Sequence, residues 1–149
     1  MPTIAINKSA LHDYAVLEEL SAGVVLSGAE VKSVRGGNLS LKGSYVSIRN
    51  NEVWLIKAHI GHYQPAGARE TYDPTRPRKL LLSRKEIARL IGKLKEKGLT
   101  AVPVRVYTHN NRIKVAVGLC RGKTKVDKRE VLKKRAIEKE IRHSLKRNR

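Results

Sequence analysis

The side chains in this 149-residue chain that could do chemistry are few, and their spacing limits what they can do. His59 and His62 are close enough in sequence to share a metal ion, but no third ligand stands at useful spacing, so structural histidines are expected. His12, His109 and His143 are scattered, and none pairs with a carboxylate in a nucleophile motif. Cys120 is the only cysteine, which excludes an internal disulfide and any CxxC zinc site. Arg121 beside it could lower the thiol pKa, yet a small buried apolar cysteine is the expected role. Asp13, Glu18, Glu19, Glu30 and Asp73 could supply a metal-dependent nuclease site, although nothing in their spacing favours convergence. Walker, GxSxG, HExxH and dinucleotide-binding signatures are all missing. Neither a catalytic residue, a metal nor a cofactor is expected.

Cations are a different matter. Thirty-two Lys and Arg stand against 13 Asp and Glu, a formal charge of +19, and so much like charge calls for a polyanionic partner. Residues 121–149 hold 13 of the cations and four of the acids, a net +9, leaving +10 on the first 120 residues. The division expected is a folded core over 1–120 and a basic tail over 121–149. In the tail, Asp127 and Glu130 could start a helix through Val131, Leu132, Ala136, Ile137, Ile141 and Leu145. Its apolar stripe is too narrow to dock firmly or to lie on a membrane. Cation repulsion should keep the free tail disordered or fraying, until an RNA groove neutralises it and the helix forms. On the core, Arg76, Arg78 and Lys79, and later Lys114, Arg121, Lys123 and Lys125, could make phosphate contacts that position RNA.

The elements that must present these residues read mostly as strands. Tyr14, Val16 and Leu20 suggest one, and Gly23-Val24-Val25-Leu26 the next. Tyr45–Ile48 and Val53–Ile56 flank Asn50-Asn51 as a hairpin, and residues 101–107 and 113–117 flank Asn110-Asn111 as a second. Pro103 lacks a ladder donor and should sit near a strand start or on an edge. Ser83 and Glu86 form a capping box for a helix whose stripe is Ile87, Leu90, Ile91 and Leu94, with Gly98 as the stop. A short helical turn over Glu30–Arg35 ends at Gly36-Gly37. Residues 67–77 read as a loop, either disordered or shaped by a ligand. The fold class is mainly β with flanking helices, an OB-like antiparallel β-barrel with a basic C-terminal tail; a five-stranded SH3-like barrel is the alternative.

Other classes are excluded by composition. The chain is 40% hydrophobic, enough for a core. No apolar run approaches the ~18 residues of a membrane span. Met1 to Lys8 lack a charged-then-apolar export signal, so a cytoplasmic protein is expected. Phe is absent and aromatics are 4%, too few for an RRM stacking sheet.

Short motifs then accumulate in order along nearly the whole chain. They are Asn7-Lys8 with Asp13-Tyr14, Gly28 with Glu30-Val31-Lys32-Ser33 and Arg35, and Glu52 with Trp54-Leu55. Asp73-Pro74-Thr75-Arg76, Arg78-Lys79-Leu80-Leu81-Leu82, Gly98-Leu99-Thr100, Gly118-Leu119, Arg121-Gly122-Lys123 and Asp127-Lys128-Arg129 follow. In this ordered set the chain resembles the SmpB family of SsrA-binding proteins.

The resemblance implies an OB-like barrel, no catalysis, and binding to the tRNA-like domain of tmRNA, with elongation factor Tu as a further partner. It implies delivery of tmRNA to stalled ribosomes in trans-translation, the tail following the empty mRNA channel as a helix. By position it assigns Ser21, Leu81, Lys114, Arg121 and Lys123 to tmRNA binding. His12, Asp127, Lys128 and Arg129 fall to the ribosomal decoding region. Three positions depart from the family pattern: Ser21 replaces an acid, Thr124 a lysine and Val126 a histidine. A general ribosome-associated RNA binder is the alternative function, and a basic nuclease or RNA-modifying enzyme the rival from another class.

Overall fold

The computed structural model describes residues 2–63 and 72–122. Its framework starts from two Asn-Asn turns. Asn50 and Asn51 (φ 52° and 61°) and Asn110 and Asn111 (φ 50° and 63°) all occupy the left-handed region. Asparagine tolerates that region, and two such residues in succession make the I′ turn whose twist matches a hairpin. The first turn joins β4 (Tyr45–Arg49) to β5 (Glu52–Ile56), the second β8 (Leu99–His109) to β9 (Arg112–Gly122). Both expected hairpins form, and the second is longer than its apolar runs suggested.

The other elements are β1 (Thr3–Ile6), α1 (Lys8–Asp13), β2 (Tyr14–Val24), α2 (Gly28–Arg35), β3 (Leu39–Ser40), β6 (His59–Ile60), β7 (Arg78–Leu81) and α3 (Arg84–Leu94). The main sheet is antiparallel in the order β1-β8-β9-β2-β7-β5-β4, and β3 pairs with β6 separately. The chain is thus mainly β with a few helices. Among the described residues no ladder joins the ends of the main sheet, so it is not closed into the expected barrel. The reason lies in β8. Its edge away from β9 is taken by β1 as far as Arg105, and then by Asn7, whose amide and side chain donate to Val104 and Pro103 carbonyls, each at 2.8 Å.

Alternation explains the core. Along β9 the odd positions Ile113, Val115, Val117 and Leu119 face the core cluster, where they meet Val53, Leu55, Leu80 and Val106. Even positions Ala116 and Gly118 lie on the opposite face. Leu90 of α3 is fully buried in the cluster, with Ile87 and Leu94 packed against it, as the helical stripe requires.

Two local expectations need correction. Residues 14–24 are one strand, not two, because a bulge between Val16 and Glu18 breaks the alternation and leaves Leu17 exposed. Pro103 stands on an edge as expected, because β1 pairs with β8 only as far as Arg105, and the register shift between Pro103 and Arg105 accommodates it. Helix α3 ends at Leu94 with Lys95 as its cap, and Gly98 (φ +84°) serves the following turn. Arg78 and Lys79, ahead of α3 in the chain, open β7 inside the sheet. Of the expected loop, only residues 72–77 are described. The 121–149 division and the tail's expected disorder lie, beyond Gly122, outside the described residues.

Candidate nucleic-acid interface

Ser27 and Glu30 form a reciprocal capping box that starts α2, a second such box beside that of Ser83 and Glu86. Glu30 also does more. Its side chain is 1% exposed and meets Arg78, which is wholly buried. Arg78 donates from Nε (3.0 Å) and Nη2 (2.6 Å) to Glu30 Oε2, and from Nη1 to the Ala58 carbonyl at 2.6 Å. Arg76 adds Nε to the same oxygen at 3.2 Å and Nη2 to Oε1. Tyr72 donates to the Ile60 carbonyl at 2.8 Å and lies 3.3 Å from Glu30 Oε2. Burial alone would push the Glu30 carboxyl up; the bonds from Arg76, the Ser27 amide and Arg78, with the Arg78 charge, outweigh it and hold the pKa at about 2. Arg78 is therefore a structural cation and not the phosphate contact expected of it, and Arg76 is committed to the same carboxylate.

This cluster ties α2 to β7, and a groove opens where α2, the end of β2, Leu81 and the β8–β9 hairpin tip meet. Register places Leu81 of β7 opposite Gly23 of β2, Gly23 opposite Lys114 of β9, and Lys114 opposite Tyr107 of β8. Directly paired residues share a face, so Leu81 and Lys114 flank Gly23. A Cβ on Gly23 would meet that of Leu81 at 3.4 Å, and Leu81 is 53% exposed over this gap. An open groove of about 480 Å³ is lined here by Gly23, Leu26, Val31, Arg35, Leu81 and Lys114, among others. Arg35 Nη2 donates to the Asn111 carbonyl at 2.7 Å, tying α2 to the hairpin tip that carries Lys114. The arrangement offers an apolar ledge, a bare backbone and a cation, which suits a nucleic-acid backbone approaching edge-on.

Ser21 lies on the same face two residues before Gly23, exposed, with its hydroxyl bonded to the Tyr107 hydroxyl. Arg121 is elsewhere. It is seven residues from Lys114 on β9 and has the opposite parity, so the two do not share a face. His12 lies on α1 with Nδ1 3.0 Å from Asp13 Oδ1. It is near the far end of the β2–β9 ladder, where Tyr14 pairs with Gly122. Lys123, Asp127, Lys128 and Arg129, with Thr124 and Val126, lie outside the described residues. Sequence reasoning missed Arg35 and Tyr107 at this face; the Asn-Asn turn signal, extended outward along both strands, would have found Tyr107.

The side chains that other chemistries would call on lie apart from this groove. Among the described residues no three His, Cys, Asp or Glu side chains are grouped to hold a metal ion. The carboxylates are engaged apart from one another: Glu18 with Arg89 at 3.0 Å, Glu19 with Arg105 at 3.1 Å, Glu52 with Lys79 at 3.4 Å. Asp73 Oδ1 accepts from the Thr75 amide and hydroxyl. His62 stacks at a tilt with Tyr72, ring centres 5.8 Å apart, while His59 is exposed on β6. Cys120 is fully buried, and burial, aided by the Glu19 charge, pushes its thiol up to about 11. No described helix is long and apolar enough to cross a membrane.

Comparison with known proteins shows the family. The family model described as SmpB protein matches residues 4–147. An SsrA-binding protein of Sulfurihydrogenibium sp. (strain YO3AOP1) is 52% identical over 143 residues, covering 96% of this chain and 93% of its own. One from Roseiflexus castenholzii (strain DSM 13941 / HLO8) is 47% identical, covering 96% and 90%. A solved structure described as "tmRNA-SmpB: a journey to the center of the bacterial ribosome" is similar with a TM-score of 0.68 at 40% identity, over 89% of this chain and 95% of that one.

Proposed function

The chain belongs to the SmpB family, and from that premise we propose that it binds the tRNA-like domain of tmRNA and helps deliver it to stalled ribosomes for trans-translation. One observation carries the reading: the two ends of the β2–β9 ladder differ in kind. At one end Gly23 pairs with Lys114 beside Leu81; at the other Tyr14 pairs with Gly122, next to His12 and Arg121, where the cationic segment departs. Eight residues of strand separate Lys114 from Gly122, about 26 Å at ~3.3 Å per residue. A body of that length can hold one RNA in the groove and offer its far end to another.

In this reading Ser21, Leu81 and Lys114 contact tmRNA in the groove, and Arg121 and Lys123 meet it at a separate point, since Arg121 lies seven residues along β9 from Lys114 on the opposite face. His12, Asp127, Lys128 and Arg129 face the decoding region, with residues 123–149 helical in the empty mRNA channel. Elongation factor Tu joins the delivery complex, the work is cytoplasmic, and the protein performs no reaction of its own. The curled sheet is taken as a partly open OB-like barrel, a shape that binds nucleic acid across its strands.

Competition tests the function. The full chain should prefer the tRNA-like domain of tmRNA over bulk tRNA by at least roughly 100-fold, about 3 kcal/mol. Equal competition would instead favour the general ribosome-associated RNA binder. Lys114→Ala should weaken binding several-fold and lower the slope of log K against log salt by about 0.7–0.9, one phosphate contact. An unchanged slope would remove Lys114 from the interface.

A further inference from the structure

The outer face of the sheet carries a polar array beyond the groove. Arg105 of β8 pairs with Ala116, and Lys114 pairs with Tyr107, so Arg105 and Lys114 are diagonal neighbours on one face, their Cβ atoms roughly 7 Å apart. Ala116, directly opposite Arg105, is small and leaves the surface beside the guanidinium open. Arg105 is held on two sides. Its guanidinium carbon lies 5.3 Å from the Tyr107 ring centre. Its Nη1 bonds both oxygens of Glu19, at 3.2 and 3.1 Å. Glu19 reaches it from β2 across β9, over the position of Gly118.

That geometry leaves work undone. A guanidinium has five N–H donors, and Nη1 accounts for two. Among the described residues Nε and Nη2 have no acceptor, and the side chain is 38% exposed. We infer that Arg105 is a further RNA-contact residue, a pre-ordered fork that takes a phosphate of the strand lying on Leu81 and Lys114. The inference rests on the tmRNA reading above. Stacking on Tyr107 and the Glu19 bonds fix the plane of the fork before RNA arrives, so little rotamer freedom remains to be lost. One carboxylate per guanidinium leaves no net charge at the pair, so its contribution is directional hydrogen bonding and not long-range attraction. The opposing reading is a cross-strand ion pair that serves only the sheet.

Binding of the tRNA-like domain to the full chain separates these. Arg105→Gln should lower affinity roughly tenfold, the order of a charge-assisted hydrogen bond, with the melting temperature unchanged within a few degrees. The double variant Glu19→Gln/Arg105→Gln, which keeps the local charge balance, should lose as much. Arg89→Gln, which removes a more exposed arginine of α3 (59% against 38%) that pairs with Glu18 of β2, should change affinity less than twofold. Wild-type affinity in the double variant would mean that an unpaired Glu19 repels RNA in the single one, and would overturn the inference. An equal loss in Arg89→Gln would overturn it too. A wild type that prefers tmRNA while Arg105 is indifferent sinks this inference alone; a wild type with no preference sinks the parent reading with it.

Discussion

Glu30→Gln should destabilise the fold by about 3–5 kcal/mol, the range for breaking a buried ion pair from one side. For a domain of this size that corresponds to a fall in melting temperature of roughly 10–20 °C. The loss comes from what is left behind. Arg78 is wholly buried and bonds Glu30 through Nε and Nη2; the neutral amide cannot balance its charge, and no water reaches it. Arg76 loses its partner as well but can turn to solvent, so Arg78 dominates. The pH dependence gives a second signature. Burial raises the Glu30 pKa, but the hydrogen bonds from Arg76, the Ser27 amide and Arg78 more than reverse it, taking it from 4.5 down to about 2. A depressed folded-state pKa means that stability is fully present above about 4.5 and is lost as pH falls from there through 2. The shift corresponds to roughly 3 kcal/mol. Urea unfolding between pH 6 and 2 should show this loss in wild type and not in Glu30→Gln. A variant that unfolds within 1 kcal/mol of wild type at pH 7 would show that the cluster contributes little.

That cluster also marks where the sequence stopped being legible. Local signals held well: both Asn-Asn turns, the Ser83 box and the Leu90 stripe depend on residues within a few positions of each other, and all formed. Glu30 and Arg78 are 48 residues apart, and nothing in either neighbourhood announces the pair. Arg78 stands beside Arg76 and Lys79 in a run that reads as a solvated cationic face, yet strand alternation turns Arg78 and Leu80 inward and leaves Leu81 out. Charge counting could not distinguish these fates, because the deciding factor is which face of β7 meets α2. The strands β1 and β7 are only four residues long, too short for period-two alternation to stand out, and α1 is a single short helix whose Asn7 cap also serves β8. The open sheet has the same origin: closure depends on whether β4 finds a free edge, which no local pattern records.

The groove was legible in a different manner. Leu81, Lys114 and Ser21 come from three strands and were tied to one role only through the family resemblance. Register then explains the grouping for Leu81 and Lys114, since Gly23 stands between them and a Cβ there would already be in van der Waals contact with Leu81. Arg121 and Lys114 read as one basic series along the sequence, but seven residues of strand give them opposite faces. Spacing of odd parity could have flagged this once the length of β9 was known.

Removing residues 123–149 should abolish peptide tagging, by at least roughly 100-fold, while changing affinity for the isolated tRNA-like domain by less than about threefold at 150 mM salt. The cut follows Gly122, so the Tyr14–Gly122 pair and every other ladder stay intact. It takes 12 cations and four acids, reducing the formal charge from +19 to +11. At physiological ionic strength charges are screened beyond about 8 Å, and the groove lies about 26 Å of strand from the cut. The lost charge therefore reaches the groove weakly, apart from whatever contact Lys123 makes. Ribosome engagement is another matter, because counterion release scales with the number of phosphates neutralised at the contact itself. A tail of the same composition in shuffled order separates charge from fit. It should restore salt-dependent ribosome association and fail to restore tagging, because counterion release needs only the cations, whereas seating a helix needs Asp127, Lys128 and Arg129 at their own positions. Full tagging by the shuffled tail would reduce the segment to a polycation, and a loss of domain affinity matching the loss of tagging would mean that the groove and the tail are not separate sites.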